Sequence, residues 1–506
     1  MSLVRKNVLD TPKIVKLIDS HLNSNEIVLF ALSNRRVFLT VMLALWEYVN
    51  VSRLFKLLPS IEHTETKEKA TSKQLTENDL PRFNVYTLWI KRLNARENLK
   101  PGRESFASFC RYFPSRVPLP NLTTFKWSLR ELDPVCFTIV SRWPSLKSLE
   151  LSLDPYRSNI TLPDLPDSAF PSLTHLSIEW IPDSGTFRKF WAVPALVGKL
   201  TSVNLMPSGD KCREEARSSR VLLPVLQAVA EKSPKVEHFR LRAIDPDACR
   251  AWYNLPISGL EALQKLPLRT LWIEAVELSE PPPDTDDGKE EGMATKRKDK
   301  AQQQGGDDEE DEEDQDEDDD EDDDCLPRCL NIGERLSTMF PDIVELGFPR
   351  HTTPLPEIET FHSRLPRLET LRFDFDLRDV SKLKFDLSSV PRQRKAAPFT
   401  VEANFLGLDE SIQIDGISGF KHTDAIRFAQ YLFSLRPNVR IVELPADEED
   451  GDDWPVREKM VALVNEYLKC LARRNLNPAT KYEDIDVWTE KSWRACNERG
   501  ATLVTS

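Results

Sequence analysis

One short pattern recurs along the chain and constrains its fold more than any other feature. It consists of a proline, any residue, an apolar residue, two residues, an apolar residue, one residue and an apolar residue. Seven segments fit it: Pro120-Leu122-Phe125-Trp127, Pro144-Leu146-Leu149-Leu151, Pro171-Leu173-Leu176-Ile178, Pro234-Val236-Phe239-Leu241, Pro341-Ile343-Leu346-Phe348, Pro366-Leu368-Leu371-Phe373 and Pro437-Val439-Val442-Leu444. Leu200-Val203-Leu205 and Leu268-Leu271-Ile273 are close variants. Because the last two apolar positions alternate with a polar one, each segment predicts a short strand with one buried face.

Helical patterns precede these strands. Apolar residues recur at helical spacing between Val221 and Val229, before Pro234, and between Ile426 and Phe433, before Pro437. A proline cannot continue a helix, so each unit reads as helix, turn and strand. The clearest units begin at 120, 144, 171 and 198, which is the spacing of leucine-rich repeats. Since one unit cannot bury its own apolar face, we predict an α/β fold, an irregular leucine-rich-repeat solenoid or horseshoe. The alternative is a set of ordinary buried strands in an α/β domain.

An acidic block interrupts the repeats. Residues 307–324 contain 17 acidic residues and Gln315, and without them the formal net charge of -14 becomes +3. Such charge density cannot bury apolar surface, so residues 279–325 are predicted to be a disordered insert. It would divide the repeats into 111–278 and 326–450. The alternation from Phe399 to Ile414 predicts either a strand pair or one degenerate repeat. The insert is either functionless or an arm for a basic protein partner.

The two ends of the chain differ from the repeats. Residues 451–506 are predicted to form a capping helix, over 454–474, and a tail, because terminal repeats need a cover. Residues 1–60 carry dense, helix-spaced apolar residues, with a helix start at Asp10-Thr11-Pro12 and a break at Asn23-Ser24-Asn25. This pattern predicts a three-helix module, followed by a connecting helical segment over 61–110.

The N-terminal module resembles an F-box. The resemblance is carried by Leu9, Pro12, Ile14, Ile18, Leu22, Glu26-Ile27, Ala31-Leu32 and Leu45-Trp46. It is similar to the divergent form that precedes degenerate leucine-rich repeats in fungal proteins, although its leucine-proline opening is two residues longer and Lys13 stands where an acidic residue is usual. The resemblance implies binding to the Skp-type adaptor of a cullin–RING ubiquitin ligase through Leu9, Pro12, Ile14, Ile18, Leu22, Ile27, Leu32 and Trp46. The alternative is an N-terminal cap for the solenoid.

No sequence pattern indicates catalysis. The chain has no phosphate-binding glycine loop, no nucleophile elbow and no zinc-protease motif. The histidines are dispersed, although His175 and His238 could be neighbours across the sheet. We therefore expect no enzyme activity, no cofactor and no metal. The eight cysteines form no Cys-x-x-Cys pair, as is typical of a cytoplasmic or nuclear protein. The most apolar stretch, Val37 to Trp46, is too short to span a membrane.

The strand pattern also predicts a ligand face. The residues between the buried strand positions should face the concave side, and they are Lys126, Glu150, Ser177, Asn204, Arg240, Trp272, Gly347, Arg372 and Glu443. Their charges are mixed, which does not favour nucleic acid. Tryptophan and arginine commonly anchor protein interfaces. The candidate substrate-binding residues are therefore Lys126, Glu150, Arg240, Trp272 and Arg372, and an unused solvated face is the alternative.

These observations give two hypotheses for the function. The first is a non-catalytic substrate receptor of an SCF-type ubiquitin ligase, with the F-box on the adaptor and the concave face on an unknown substrate protein. The second is a leucine-rich-repeat scaffold or acidic chaperone-like binder of basic proteins outside the ubiquitin system.

Overall fold

The computed structural model describes most of the repeats and part of each end. The described residues are 24–33, 35–58, 80–95, 117–129, 134–154, 161–181, 184–207, 222–242, 253–274, 276–279, 331–377, 380–385, 398–403, 405–406, 422–443 and 454–476, with Cys110, Phe113 and Leu387. The acidic insert and the first 23 residues, with predicted adaptor positions Leu9, Pro12, Ile14, Ile18 and Leu22, lie outside the described residues.

A single parallel sheet runs through the described part of the molecule. Its strands are β1 Tyr48–Asn50, β2 Arg92–Ala95, β3 Thr124–Leu129, β4 Ser148–Leu153, β5 His175–Ile181, β6 Ser202–Pro207, β7 His238–Leu241, β9 Thr270–Ile273, β11 Glu345–Pro354, β12 Thr370–Asp376, β13 Phe399–Ala403, β14 Phe405–Leu406 and β15 Val439–Glu443. The strands follow one another in chain order, except that β14 pairs with β12. Strands β8 Tyr253–Pro256 and β10 Val276–Ser279 form a separate parallel pair beside it.

Helices connect many of these strands. They are α1 Ser24–Ser33, α2 Arg35–Glu47, α3 Val51–Phe55, α4 Leu80–Thr87, α5 Pro134–Val140, α6 Ser184–Trp191, α7 Pro194–Val197, α8 Leu222–Lys232, α9 Ile332–Met339, α10 Glu357–Arg364, α11 His422–Leu435 and α12 Trp454–Leu476, with short 3-10 helices at Ile257–Lys265 and Val380–Lys382. Parallel neighbouring strands need such crossovers, so the mixed α/β architecture follows from the repeat itself.

One hydrogen-bond arrangement repeats along the sheet and defines the unit. The carbonyl of Lys91 accepts bonds from the N–H groups of both Thr123 and Thr124. The same doubly accepting carbonyl recurs at Thr123, Lys147, Thr174, Thr201, Glu237, Arg269 and Val344. The first apolar residue of each unit closes the turn just before it, as when the N–H of Leu122 bonds the carbonyl of Leu119. The stacked solenoid predicted from the sequence is thus confirmed as an α/β fold with a parallel sheet, consistent with leucine-rich-repeat-like architecture.

The core is one continuous apolar column between the sheet and the helices. Equivalent strand residues stack through it, for example Phe125, Leu149 and Leu176, which are all buried. Folding removes each of these apolar side chains from water, and the full burial of one such side chain stabilises the fold by roughly 1.5–3 kcal/mol. No unit is therefore stable without its neighbours.

The sheet begins earlier than the sequence analysis indicated. Strands β1 and β2 pair in parallel, and β2 pairs with β3. Both follow the apolar spacing of the repeat without its proline, as Trp46-Val49-Val51 and Ile90-Leu93-Ala95. Apolar residues from Trp46 to Leu58 thus pack in the same core as Leu80, Phe83 and Leu93, which follow the domain boundary predicted at residue 60. The segment 61–110, predicted to be helical, contributes both α4 and a strand.

The last repeat departs from the predicted register. Val439 and Ile441 are buried, and Ile441 lies opposite Val401 of β13. In this unit the first apolar residue, Val439, precedes the next buried residue by two positions, whereas in the other proline-marked units the interval is three. The alternation of buried and solvent-facing residues therefore shifts by one. Val442, opposite Glu402, therefore takes the position that the sequence analysis gave to Glu443.

Helix α12 covers the open edge of β15. The side-chain amide of Asn465 accepts a bond from the N–H of Ile441 at 3.0 Å and donates one to the carbonyl of the same residue at 2.8 Å. These two bonds replace those that another strand would make, which protects an edge that could otherwise pair with a second chain.

Among the helices of the described ranges, none combines the length and the apolar character that a membrane span requires.

Candidate functional site

The register of the sheet aligns one residue from each strand on its solvent side. We call this set the central row, and it comprises Asn50, Asn94, Lys126, Glu150, Ser177, Asn204, Arg240, Trp272, Gly347, Arg372, Glu402 and Val442. All five residues that the sequence proposed for substrate binding lie in it, although this placement does not test whether they bind a substrate.

The first half of the central row is occupied by polar residues that pair with each other. Lys126 Nζ lies 2.7 Å from Glu150 Oε2 across β3 and β4. Asn204 Nδ2 donates to Ser177 Oγ at 3.0 Å across β5 and β6. Lys126, Glu150 and Ser177 are thus already engaged, whereas the covered Oδ1 of Asn204 accepts no hydrogen bond from the described residues.

The second half is organised around Trp272. A Cβ atom placed on Gly347, the next residue along the row, would lie 2.9 Å from Trp272 Cε3 and 3.1 Å from Cδ2. The indole therefore lies against the backbone of β11, in space that only glycine leaves free. Arg372 Cζ is 4.4 Å from the indole centroid and Arg240 Cζ is 5.7 Å from it. A tryptophan contacted by two guanidinium groups on the solvent side of a sheet is a feature of the kind that anchors protein interfaces.

A hydrogen-bond network fixes the position of Arg240. Its Nη2 lies 3.1 Å from Glu345 Oε2, which also accepts a bond from Thr270 Oγ1 at 3.2 Å. The Thr270 hydroxyl lies 2.9 Å from His238 Nδ1. Trp272 is held from its other end, because its Nε1–H donates to Glu274 Oε1 at 2.8 Å. Glu345 and Glu274, which were not predicted from the sequence, stand two residues before Gly347 and two residues after Trp272.

Arg372 is held differently from Arg240. Burial lowers the pKa of its guanidinium, an effect opposed by the charges of Glu274, Glu402 and Asp374 and reinforced by the positive charge of Arg242. Among the described residues, none forms an ion pair with Arg372, and its covered Nε has no hydrogen-bond acceptor. It is therefore a half-buried cation whose direct contact is with the indole.

The two histidines expected to be neighbours are not adjacent. Ser202 of β6 lies between His175 and His238 in the register, so these histidines stand two strands apart. Within the described ranges, no cluster of three or more His, Cys, Asp or Glu residues could hold a metal ion.

A second candidate surface lies on the N-terminal helices. Helices α1 and α2 pack through a small apolar cluster of Ala31, Val37 and Val41, against which half-buried Ile27 rests. Four leucines, Leu29, Leu32, Leu39 and Leu43, are exposed on this hairpin, and the first two each show 69% of their surface. They could have been recognised from spacing, because the buried residues of each helix lie four apart and leave these leucines on the other side.

Trp46 behaves differently from the other predicted adaptor residues. It is only 6% exposed, belongs to the main core and packs against Tyr86 with ring centroids 4.6 Å apart. As the first apolar residue of the β1 unit it fills the position that Leu122 fills before β3. We therefore leave Trp46 out of the exposed surface of the hairpin, which retains Leu32 and part of Ile27.

Comparisons with known proteins give limited information. No protein-family model matches the chain, and curated protein sequences give no match either. Among solved structures, the chain is similar to the leucine-rich repeat-containing protein LegL7 from Legionella pneumophila, with 14% identity, a TM-score of 0.33, and coverage of 79% of this chain and 95% of that chain. With so low a TM-score, this likeness adds nothing to the architecture that the repeating hydrogen bonds already show.

Proposed function

We propose that the chain is a non-catalytic receptor that binds a substrate protein on the solvent side of its sheet and a Skp-type adaptor on its N-terminal helices. The observation that carries the proposal is the presence of two candidate interaction surfaces in different parts of the chain. One is the sheet face around Trp272, and the other is the set of exposed leucines on α1 and α2.

The exposed leucines of α1 and α2 support the adaptor half of the proposal. Monomeric proteins seldom leave large aliphatic patches in water, and such patches commonly mark protein contacts. Leu32 belongs to the F-box resemblance, while Leu29, Leu39 and Leu43 are exposed on the same hairpin. A helical hairpin that presents leucines suits an adaptor that binds through helices and apolar side chains.

Co-purification with a Skp-type adaptor tests this half. Deleting residues 1–60 would be a poor test, because β1 and α3 belong to the first unit of the sheet. Leu29→Glu combined with Leu32→Glu changes only exposed positions and should abolish association. Leu88→Glu is the matched control, since Leu88 is a 53% exposed leucine outside the hairpin. Equal recovery of the adaptor with both variants would count against the proposal.

The alternative, a scaffold that binds basic proteins through residues 307–324, makes a different prediction. Association would then fall with rising salt and disappear when 307–324 is removed, because exposed charges are screened at high ionic strength. The substitutions at Leu29 and Leu32 would leave it unchanged.

A further inference from the structure

The arginines around Trp272 differ in whether they have a carboxylate or another hydrogen-bond acceptor as a partner. Arg240 is paired with Glu345. Arg372 and Arg242 each have a covered Nε without an acceptor, and neither forms an ion pair with another described residue. A half-buried guanidinium that has lost water and gained no carboxylate in contact is incompletely compensated.

The surrounding carboxylates limit what can bind there. Glu345 is engaged with Arg240 and Thr270, and Glu274 accepts the indole N–H. Asp374 and Glu402 lie close enough to act on the charge of Arg372. Four carboxylates thus surround three arginines, which would repel a densely acidic segment or a nucleic acid, but would leave room for one negative charge placed directly on Arg372.

We propose that Arg372 and Arg242 receive a single acidic side chain of a partner protein, while apolar atoms beside that side chain pack on the indole of Trp272. Both parts of the contact are preorganised. Gly347 fixes where the indole lies, and the indole holds the guanidinium of Arg372. This inference rests on the proposed protein-binding role of the sheet face, and it is independent of the adaptor.

Selection from a random peptide display library on the full chain tests the inference. Enriched peptides should carry one Asp or Glu beside an aromatic or aliphatic residue, and they should bind an Arg372→Gln variant about tenfold or more weakly than the wild type. Replacing the selected Asp by Asn should weaken binding to the wild type about tenfold or more, because a bond between charged groups is lost. Against Arg372→Gln the same replacement should change affinity by less than about twofold, as expected if the two groups are directly coupled.

Two variants separate this contact from a general loss of structure. Gly347→Ala keeps every charge but forces the indole of Trp272 out of its position, and it should therefore also weaken binding of the peptide. Arg364→Gln is the matched control, because Arg364 pairs with Glu334 on the helix side of the neighbouring repeats. It should bind the peptide as the wild type does, and thermal unfolding should show that both variants are folded.

The inference would be overturned if no enriched peptide depends on Arg372, if enrichment favours runs of acidic residues, or if the Asp-to-Asn loss is the same on Arg372→Gln. These outcomes concern the sheet face alone. Failure of the adaptor hypothesis would instead appear as wild-type binding by the Leu29→Glu, Leu32→Glu variant, so the two can be told apart.

Discussion

The closure of the sheet by Asn465 can be tested by one substitution. In Asn465→Leu the side chain keeps a similar size but can bond neither the N–H nor the carbonyl of Ile441. Each backbone group left without a partner costs about 1–3 kcal/mol, so the loss of two partners should destabilise the last unit by roughly 2–6 kcal/mol. Because stability in a repeat protein is local, the loss should be confined to β15, α11 and α12.

Amide hydrogen exchange measured by mass spectrometry is the suitable assay. A loss of 2 kcal/mol would speed exchange through local opening about 30-fold in peptides that cover 422–443 and 454–476, and leave β3 to β7 unchanged. Glu466→Gln is the control, since Glu466 lies beside Asn465 and forms an ion pair with Lys469 of the same helix. The reasoning is refuted if Asn465→Leu and Glu466→Gln exchange at the same rate, or if acceleration spreads evenly over the sheet.

Three further predictions concern single sites. Gly347→Ala should destabilise the protein by only about 1 kcal/mol in urea unfolding, because the indole it displaces is on the solvent side and can move. The Lys126–Glu150 pair is partly buried but still in contact with water, where ion pairs contribute little, so Lys126→Ala should lower the free energy of unfolding by less than about 1 kcal/mol in the same assay; a larger loss would show that this pair is a structural element. Burial, and then the charge of Arg436, lower the pKa of His362 below its ordinary value of 6.5. As the pH falls below 6.5, the unfolded chain therefore binds a proton at this histidine more readily than the folded chain does, so the contribution of His362 to stability is complete above that pH and decreases below it. His362→Phe should reduce the fall in melting temperature between about pH 7.5 and 5.5. An unchanged fall would exclude His362 as a source of the pH dependence.

The proline-marked units were predictable because their chemistry is local. Alternation of apolar residues predicts the strands, as at Phe125 and Trp127 or at Leu149 and Leu151. The preceding proline indicates where a helix cannot continue. The units without a proline, at Val49 and Leu93, carry the same apolar spacing but lack this punctuation. The register of β15 was predicted wrongly because the turn before this strand is one residue shorter than in the other proline-marked units. The alternation of apolar residues alone does not reveal this difference.

The candidate site was predictable as a row but not as a cluster. Spacing put Trp272 and Arg372 at equivalent positions of their strands. Their contact depends on Gly347 lying between them, and Gly347 belongs to a strand that follows an insert of about 50 residues. The bonds of Glu274 and Glu345 also cross strands, so they depend on register and not on local sequence. Conversely, Trp46 looked like an exposed anchor by resemblance, although its spacing to Val49 and Val51 marks it as core.

The most direct test of the receptor account is a calorimetric titration of a purified Skp-type adaptor into the purified chain. The account predicts saturable binding to the wild type and to Leu88→Glu, and at least a tenfold weaker interaction with the Leu29→Glu, Leu32→Glu variant, because burying two charges in an apolar contact costs more than 1.4 kcal/mol. Absence of binding to the wild type, or equal affinity for the two variants, would contradict it.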